Sequence, residues 1–123
     1  METTLDELDL SVYTPAELRR LIQLYTEKQY LEDLDKCQSL VEFIKQAWHV
    51  LEPAQPYVHG WHMEALCDHL TACTTGEITR LLINIPPGTM KSLATSVFWP
   101  AWMWGPKGMP HICFIGCSHS EGL

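Results

Sequence analysis

Basic side chains are scarce in this sequence. Eight Lys and Arg stand against fifteen Asp and Glu, a formal charge of -7. Residues 1–44 carry ten of the acids and four of the bases, so the imbalance lies in the first third. Such a surface does not draw in nucleic-acid phosphates by its overall field, and any contact of that kind has to be local. Long apolar runs are absent too: none approaches the roughly 20 residues needed to span a bilayer. The acidic opening METTLDELDL lacks the apolar centre of a signal peptide. The five cysteines form no even, regularly spaced set, which argues against a disulfide framework and for buried thiols in a reducing compartment. What remains, 46% hydrophobic and 19% charged over 123 residues, fits one soluble intracellular domain or one piece of a larger one.

Along the chain the pattern is helical first. Residues 1–13 have no clear period and read as a loose acidic leader. Thr14-Pro15-Ala16-Glu17 is a helix start: threonine caps, proline suits the first helical position and Glu17 closes a capping box. Leu18, Leu21, Ile22 and Tyr25 then fall on one face. Ser39-Leu40-Val41-Glu42 repeats the capping pattern ahead of a stripe of Leu40, Phe43, Ile44, Ala47, Trp48 and Leu51. Two prolines, Pro53 and Pro56, end that helix. A third helix is expected from about Gly60 to Ala72, with Met63, Leu66, Cys67 and Leu70 inward.

After Gly76 the pattern changes. The apolar run 81–85 (LLINI) predicts a strand covered on both faces, and 111–117 (HICFIGC) predicts a second. A helical stretch from about Met90 to Trp104 lies between them, with Pro100 removing one N–H inside it. Strand, helix, strand predicts an α/β fold with a parallel βαβ unit. Two strands leave both sheet edges open, so the expected sheet is incomplete within this chain. The expected organisation is thus a leader (1–13), a helical section (14–76) and the start of a truncated α/β domain (77–123).

The junction NIPPGTMKSLATS, residues 84–96, holds the chemistry. A phosphate-binding loop needs an extended segment feeding a turn, free backbone N–H groups and a helix N-terminus aimed at the anion. A lysine then reaches the β and γ phosphates, and the following hydroxyl reaches Mg2+. Lys91-Ser92 supply those two groups. The G-x-x-x-x-G-K-[ST] spelling fails at both glycines, where Ile85 and Met90 stand. Pro86 and Pro87 donate nothing, which leaves Gly88, Thr89, Met90, Lys91 and Ser92 as donors. On the motif alone, a phosphate loop and an ordinary junction remain open alternatives.

The longer string, Arg80 to Ser92 followed by Val97-Phe-Trp-Pro-Ala-Trp102, resembles the large subunit of tailed-bacteriophage terminase. Cys117-Ser-His-Ser-Glu-Gly-Leu123 resembles the family's next strand end, and residues 52–62 (EPAQPYVHGWH) resemble its approach to the nucleotide. The likeness spans roughly residues 40 to 123. It implies the N-terminal part of an ATP- and Mg2+-dependent motor that packages viral DNA into procapsids. Its partners would be viral double-stranded DNA, the small terminase subunit and the portal, in the bacterial host cytoplasm. Carried over, Lys91 would hold the β and γ phosphates and Ser92 would ligate Mg2+. Gly88, Thr89 and Met90 would give loop N–H groups, and Tyr57 and His62 would flank the adenine. No apolar run ending in Asp-Glu and no nuclease aspartate cluster is present, so hydrolysis by this chain alone is not expected.

Other readings compete with this one. A short interaction protein of the packaging complex with a vestigial loop is the main alternative; a helicase-like ATPase fragment is another. Cys67 and His69 are two apart on a helix and diverge, which argues against zinc. Phe98, Trp99, Trp102 and Trp104 read as a core helix rather than a membrane anchor.

Overall fold

The computed structural model describes residues 10–117. Most of the leader and residues 118–123, which hold all but Cys117 of the last block of the family likeness, lie outside the described residues. Two compact units divide the chain, Met1–Leu34 and Asp35–Leu123. A short 3-10 turn at Leu10–Val12 precedes α1, Pro15–Lys36. The capping box closes from both sides: Thr14 N–H donates to Glu17 Oε2 at 2.8 Å, and Glu17 N–H donates to Thr14 Oγ1 at 3.4 Å. Those bonds hold the Glu17 carboxyl below its ordinary pKa, the backbone N–H of Thr14 contributing most. No residue of the expected apolar face of α1 is fully buried: Leu18 and Leu21 are half-buried, and Ile22 and Tyr25 stand exposed.

The second unit is built on three helical pieces. Helix α2, Leu40–Leu51, is capped by Ser39 Oγ, which accepts from Glu42 N–H. Here the box stays half closed, because the Glu42 carboxylate turns to Lys45 Nζ at 2.7 Å. Helix α3, Trp61–Thr75, ends on Gly76, whose φ of 82° is the left-handed stop that only glycine adopts without strain. Residues 91–104 form one continuous helical rod: α4 (Lys91–Leu93), a π turn (Ala94–Phe98) and α5 (Trp99–Trp104). The π turn sits just ahead of Pro100, whose ring has no N–H and crowds the carbonyl four residues back. Widening the helix by one residue per turn accommodates that crowding.

These pieces share one core. Leu40, Ile44 and Trp48 of α2 recur every fourth residue and meet Ala94, Phe98 and Trp102, which recur in the same way on the rod. Met63, Leu66, Cys67 and Leu70 of α3 are all buried, as their spacing predicts. Trp102 is fully buried, and its indole N–H donates to Cys37 O at 3.0 Å. Its one polar atom is therefore satisfied.

The α/β expectation is overturned. The described residues contain helices and no strand. Among the described residues, segments 81–85 and 111–117 form no strand pairing, and a segment becomes a strand only through a ladder of bonds to a neighbour. Their burial alternates instead. Leu81 and Ile83 lean on the core while Leu82 is 85% exposed; Ile112 and Phe114 lean in while Ile115 is 93% exposed. Helices cover one face of each segment, where the sequence predicts cover on both. Phe114 is held edge-on by Trp99 and Trp104, each with ring centroids 5.5 Å away.

Two measurements check this packing. Trp102→Ala should lower unfolding free energy by about 3–5 kcal/mol in urea titration, the usual cost of deleting a buried aromatic. Burial, and more weakly the charge of Asp68, pushes the Cys67 thiol up to about 12 from 9.0. The folded state then keeps a proton that the unfolded state releases, so stability is full below about pH 9 and falls towards pH 12. Cys67→Ala should flatten that decline, read from urea midpoints across the range.

Candidate nucleotide-binding cleft

The loop before α4 takes its shape from two left-handed residues. Gly88 has φ 79° and Met90 has φ 62°, the latter the one non-glycine with positive φ among the described residues. Alternating left- and right-handed backbone turns successive N–H groups to one side, a nest that suits an anion. Among the described residues, none of the N–H groups from Gly88 to Leu93 donates to another backbone group. Thr89 Oγ1 donates to Pro86 O at 2.7 Å and closes the turn. Lys91 Nζ donates to Ile85 O at 3.2 Å, which holds the ammonium over the base of the loop. Two prolines stiffen the approach, and their missing N–H groups are not needed for the nest.

The loop forms one wall of a cleft of about 620 Å3, a size that takes a nucleotide. Trp48, Glu52, Gln55, Pro56 and Val58 line the same cleft. They are held from α2: the Trp48 indole N–H donates to Gln55 O at 2.8 Å and pins the α2–α3 connection. Trp48 is anchored in turn by stacking on Phe98, with centroids 6.3 Å apart. Apolar and amide groups thus line the cleft together with the loop, with one acid, Glu52, and one base, Lys91, among the lining residues.

All five loop residues inferred from the sequence, Gly88, Thr89, Met90, Lys91 and Ser92, line this cleft. Tyr57 and His62 do not. Pro56 and Val58 line the cleft, and Tyr57 between them does not. Tyr57 packs edge-on against Trp48, and its hydroxyl meets His59 Nδ1 at 3.1 Å; His59 Nε2 meets Glu64 Oε1 at 3.1 Å. Burial raises the Tyr57 pKa above its ordinary value. His62, in the first turn of α3, lines a different groove, of about 250 Å3, shared with segment 81–85. Of the wall residues, Glu52, Gln55, Pro56 and Val58 lie in the block 52–62 that the family likeness places near the nucleotide, but only Tyr57 and His62 were singled out there, and Trp48 read as a core residue of α2. The one local signal in that block was the pair of prolines that ends α2.

No family model, curated protein or solved structure matches the chain. Among the described residues no helix is long and apolar enough to cross a membrane.

The left-handed conformation at Met90 is a specific, testable strain. A side chain there costs about 1–2 kcal/mol over glycine in local energy. Met90→Gly should therefore raise stability by roughly 1 kcal/mol after the extra backbone entropy of glycine is offset, seen as a higher urea midpoint at unchanged slope. An unchanged or lower midpoint would mean that Met90 packing outweighs the strain.

Proposed function

We propose that the cleft binds the phosphates of a nucleotide, and that the chain is the nucleotide-binding part of a terminase-like DNA-packaging ATPase. The observation that carries this reading is the run Gly88–Ser92: two left-handed residues, a row of free N–H groups and a lysine, all on one wall of a nucleotide-sized cleft. The ordered sequence blocks from Arg80 to Trp102 support the packaging part of the proposal. Among the described residues no strand feeds this loop; what an anion feels is the nest and the lysine.

In this reading ATP enters with its β and γ phosphates at Gly88–Ser92, and Lys91 leaves Ile85 O to meet them. The base lies against Trp48, Pro56 and Val58, where Gln55 offers both a donor and an acceptor. Ser92 supplies a hydroxyl for Mg2+. Binding, rather than hydrolysis, is the activity assigned to this chain, because no Asp-Glu pair closes an apolar run to activate water. The partners are viral double-stranded DNA, the small terminase subunit and the portal, met in the bacterial host cytoplasm. With a charge of -7, contact with DNA is local or comes through those partners.

Calorimetric titration with Mg-ADP tests the loop. Lys91→Ala should weaken binding by about 10–100-fold, the loss expected for a hydrogen bond to a charged group. Lys28→Ala, on α1, should leave the affinity unchanged. Equal affinities for the wild-type and Lys91→Ala proteins would remove the phosphate role from the loop.

A further inference from the structure

Glu52 stands where electrostatics disfavours it. It is the C-cap of α2, and its backbone N–H donates to Trp48 O, so its carboxylate sits at the negative end of the helix dipole. A cation is the favoured charge at such an end. Among the described residues the Glu52 carboxylate forms no hydrogen bond or ion pair. The side chain is only partly exposed and lines the cleft that Lys91 and Ser92 also line. Among the described residues no ion pair joins it to Lys91, whose ammonium donates to Ile85 O.

From this we infer that Glu52 is a ligand, direct or through water, for the divalent cation that accompanies the nucleotide. The inference rests on the cleft being a nucleotide site, and it adds a residue that the family likeness does not supply. The donor set fits. A hard cation takes oxygen, and Glu52 and Ser92, which carry a carboxylate and a hydroxyl, both line this cleft. Mg2+ in particular is held by one or two carboxylates together with substrate phosphates and retained waters, not by a cage of protein ligands. The negative end of α2 adds to the field of the carboxylate, so an acid that is unfavourable alone becomes favourable once the metal arrives.

The two roles open to Glu52 predict opposite signs. If it is only a wall residue, its charge repels phosphates, and Glu52→Gln should tighten ADP binding with or without metal. If it holds the cation, the same change should abolish the gain that Mg2+ brings. The experiment measures ADP affinity by calorimetry, in Mg2+ and in EDTA, for the wild-type, Glu52→Gln and Lys91→Ala chains. Urea midpoints show that each variant is folded, and Glu52→Asp serves as the conservative rescue. Mg2+ should tighten ADP binding to the wild type by about 5–150-fold, the usual range of coupling between two ligands. In Glu52→Gln the gain should fall to less than about twofold, while metal-free ADP binds as well as or better than before. Glu52→Asp should restore part of the gain. Lys91→Ala should bind ADP weakly in both buffers, which marks the nucleotide site separately. A full Mg2+ gain in Glu52→Gln would overturn the assignment of Glu52 and leave the nucleotide reading standing. No ADP binding by the wild type in either buffer would overturn both.

Discussion

Everything about the cleft depends on the packing of α2 against the helical rod of residues 91–104. Leu40, Ile44 and Trp48 present one ridge at four-residue spacing, and Ala94, Phe98 and Trp102 present another. Phe98 lies between Phe43, which it meets edge-on at 6.3 Å, and Trp48, on which it stacks. Trp102 closes the far end by donating to Cys37 O. The rod begins at Lys91, and the same α2 ends at Glu52, so this single contact sets the distance between these two cleft-lining residues. Burial of large apolar side chains supplies the energy. The two indole N–H bonds, at Trp48 and Trp102, supply direction.

The π turn belongs to the same account. Pro100 would clash in a regular helix, and the chain answers by widening the preceding turn rather than by breaking the rod. The rod thereby keeps Phe98 and Trp102 on the α2 side while its first residues remain at the loop. At the other end Met90 holds a left-handed conformation that a methionine adopts only at a cost. Strain at a loop rich in unpaired N–H groups is what an anion site tolerates, because the bound charge repays the conformation.

Local signals in the sequence were legible, and non-local ones were not. The box at Thr14 and Glu17, the cap at Ser39 and the stop at Gly76 are written within four residues, and each formed. The stripe Met63, Leu66, Cys67 and Leu70 is buried as its period requires. Segments 81–85 and 111–117 read as strands from their apolar runs, but a strand needs a partner, and pairing is not written in a five-residue run. The alternation of Leu81, Leu82 and Ile83 between core and solvent comes from the helices that cover one face only. Lys-Ser at a helix start has a chemistry of its own, and the run it singles out, Gly88–Ser92, lines one cleft. The segment that holds Glu52, Gln55 and Val58 was legible only as a block near the nucleotide; which of its residues line the cleft depends on the fold of α2 and its connection. Tyr57 and His62, which the family likeness puts beside the adenine, do not line the cleft: Tyr57 packs on Trp48, and the first turn of α3 carries His62 to another groove.

The central claim is that the run Gly88–Ser92 is an anion nest facing a nucleotide-sized cleft. Amide chemical-shift mapping by NMR during titration with Mg-ADP tests it most directly, since it reports each N–H separately. The account predicts saturable shifts at Gly88, Thr89, Met90, Lys91 and Ser92, together with the Trp48 indole N–H and the Gln55 side-chain amide. Shifts confined to the groove around His62 and Leu82, or none at saturating nucleotide, would contradict it.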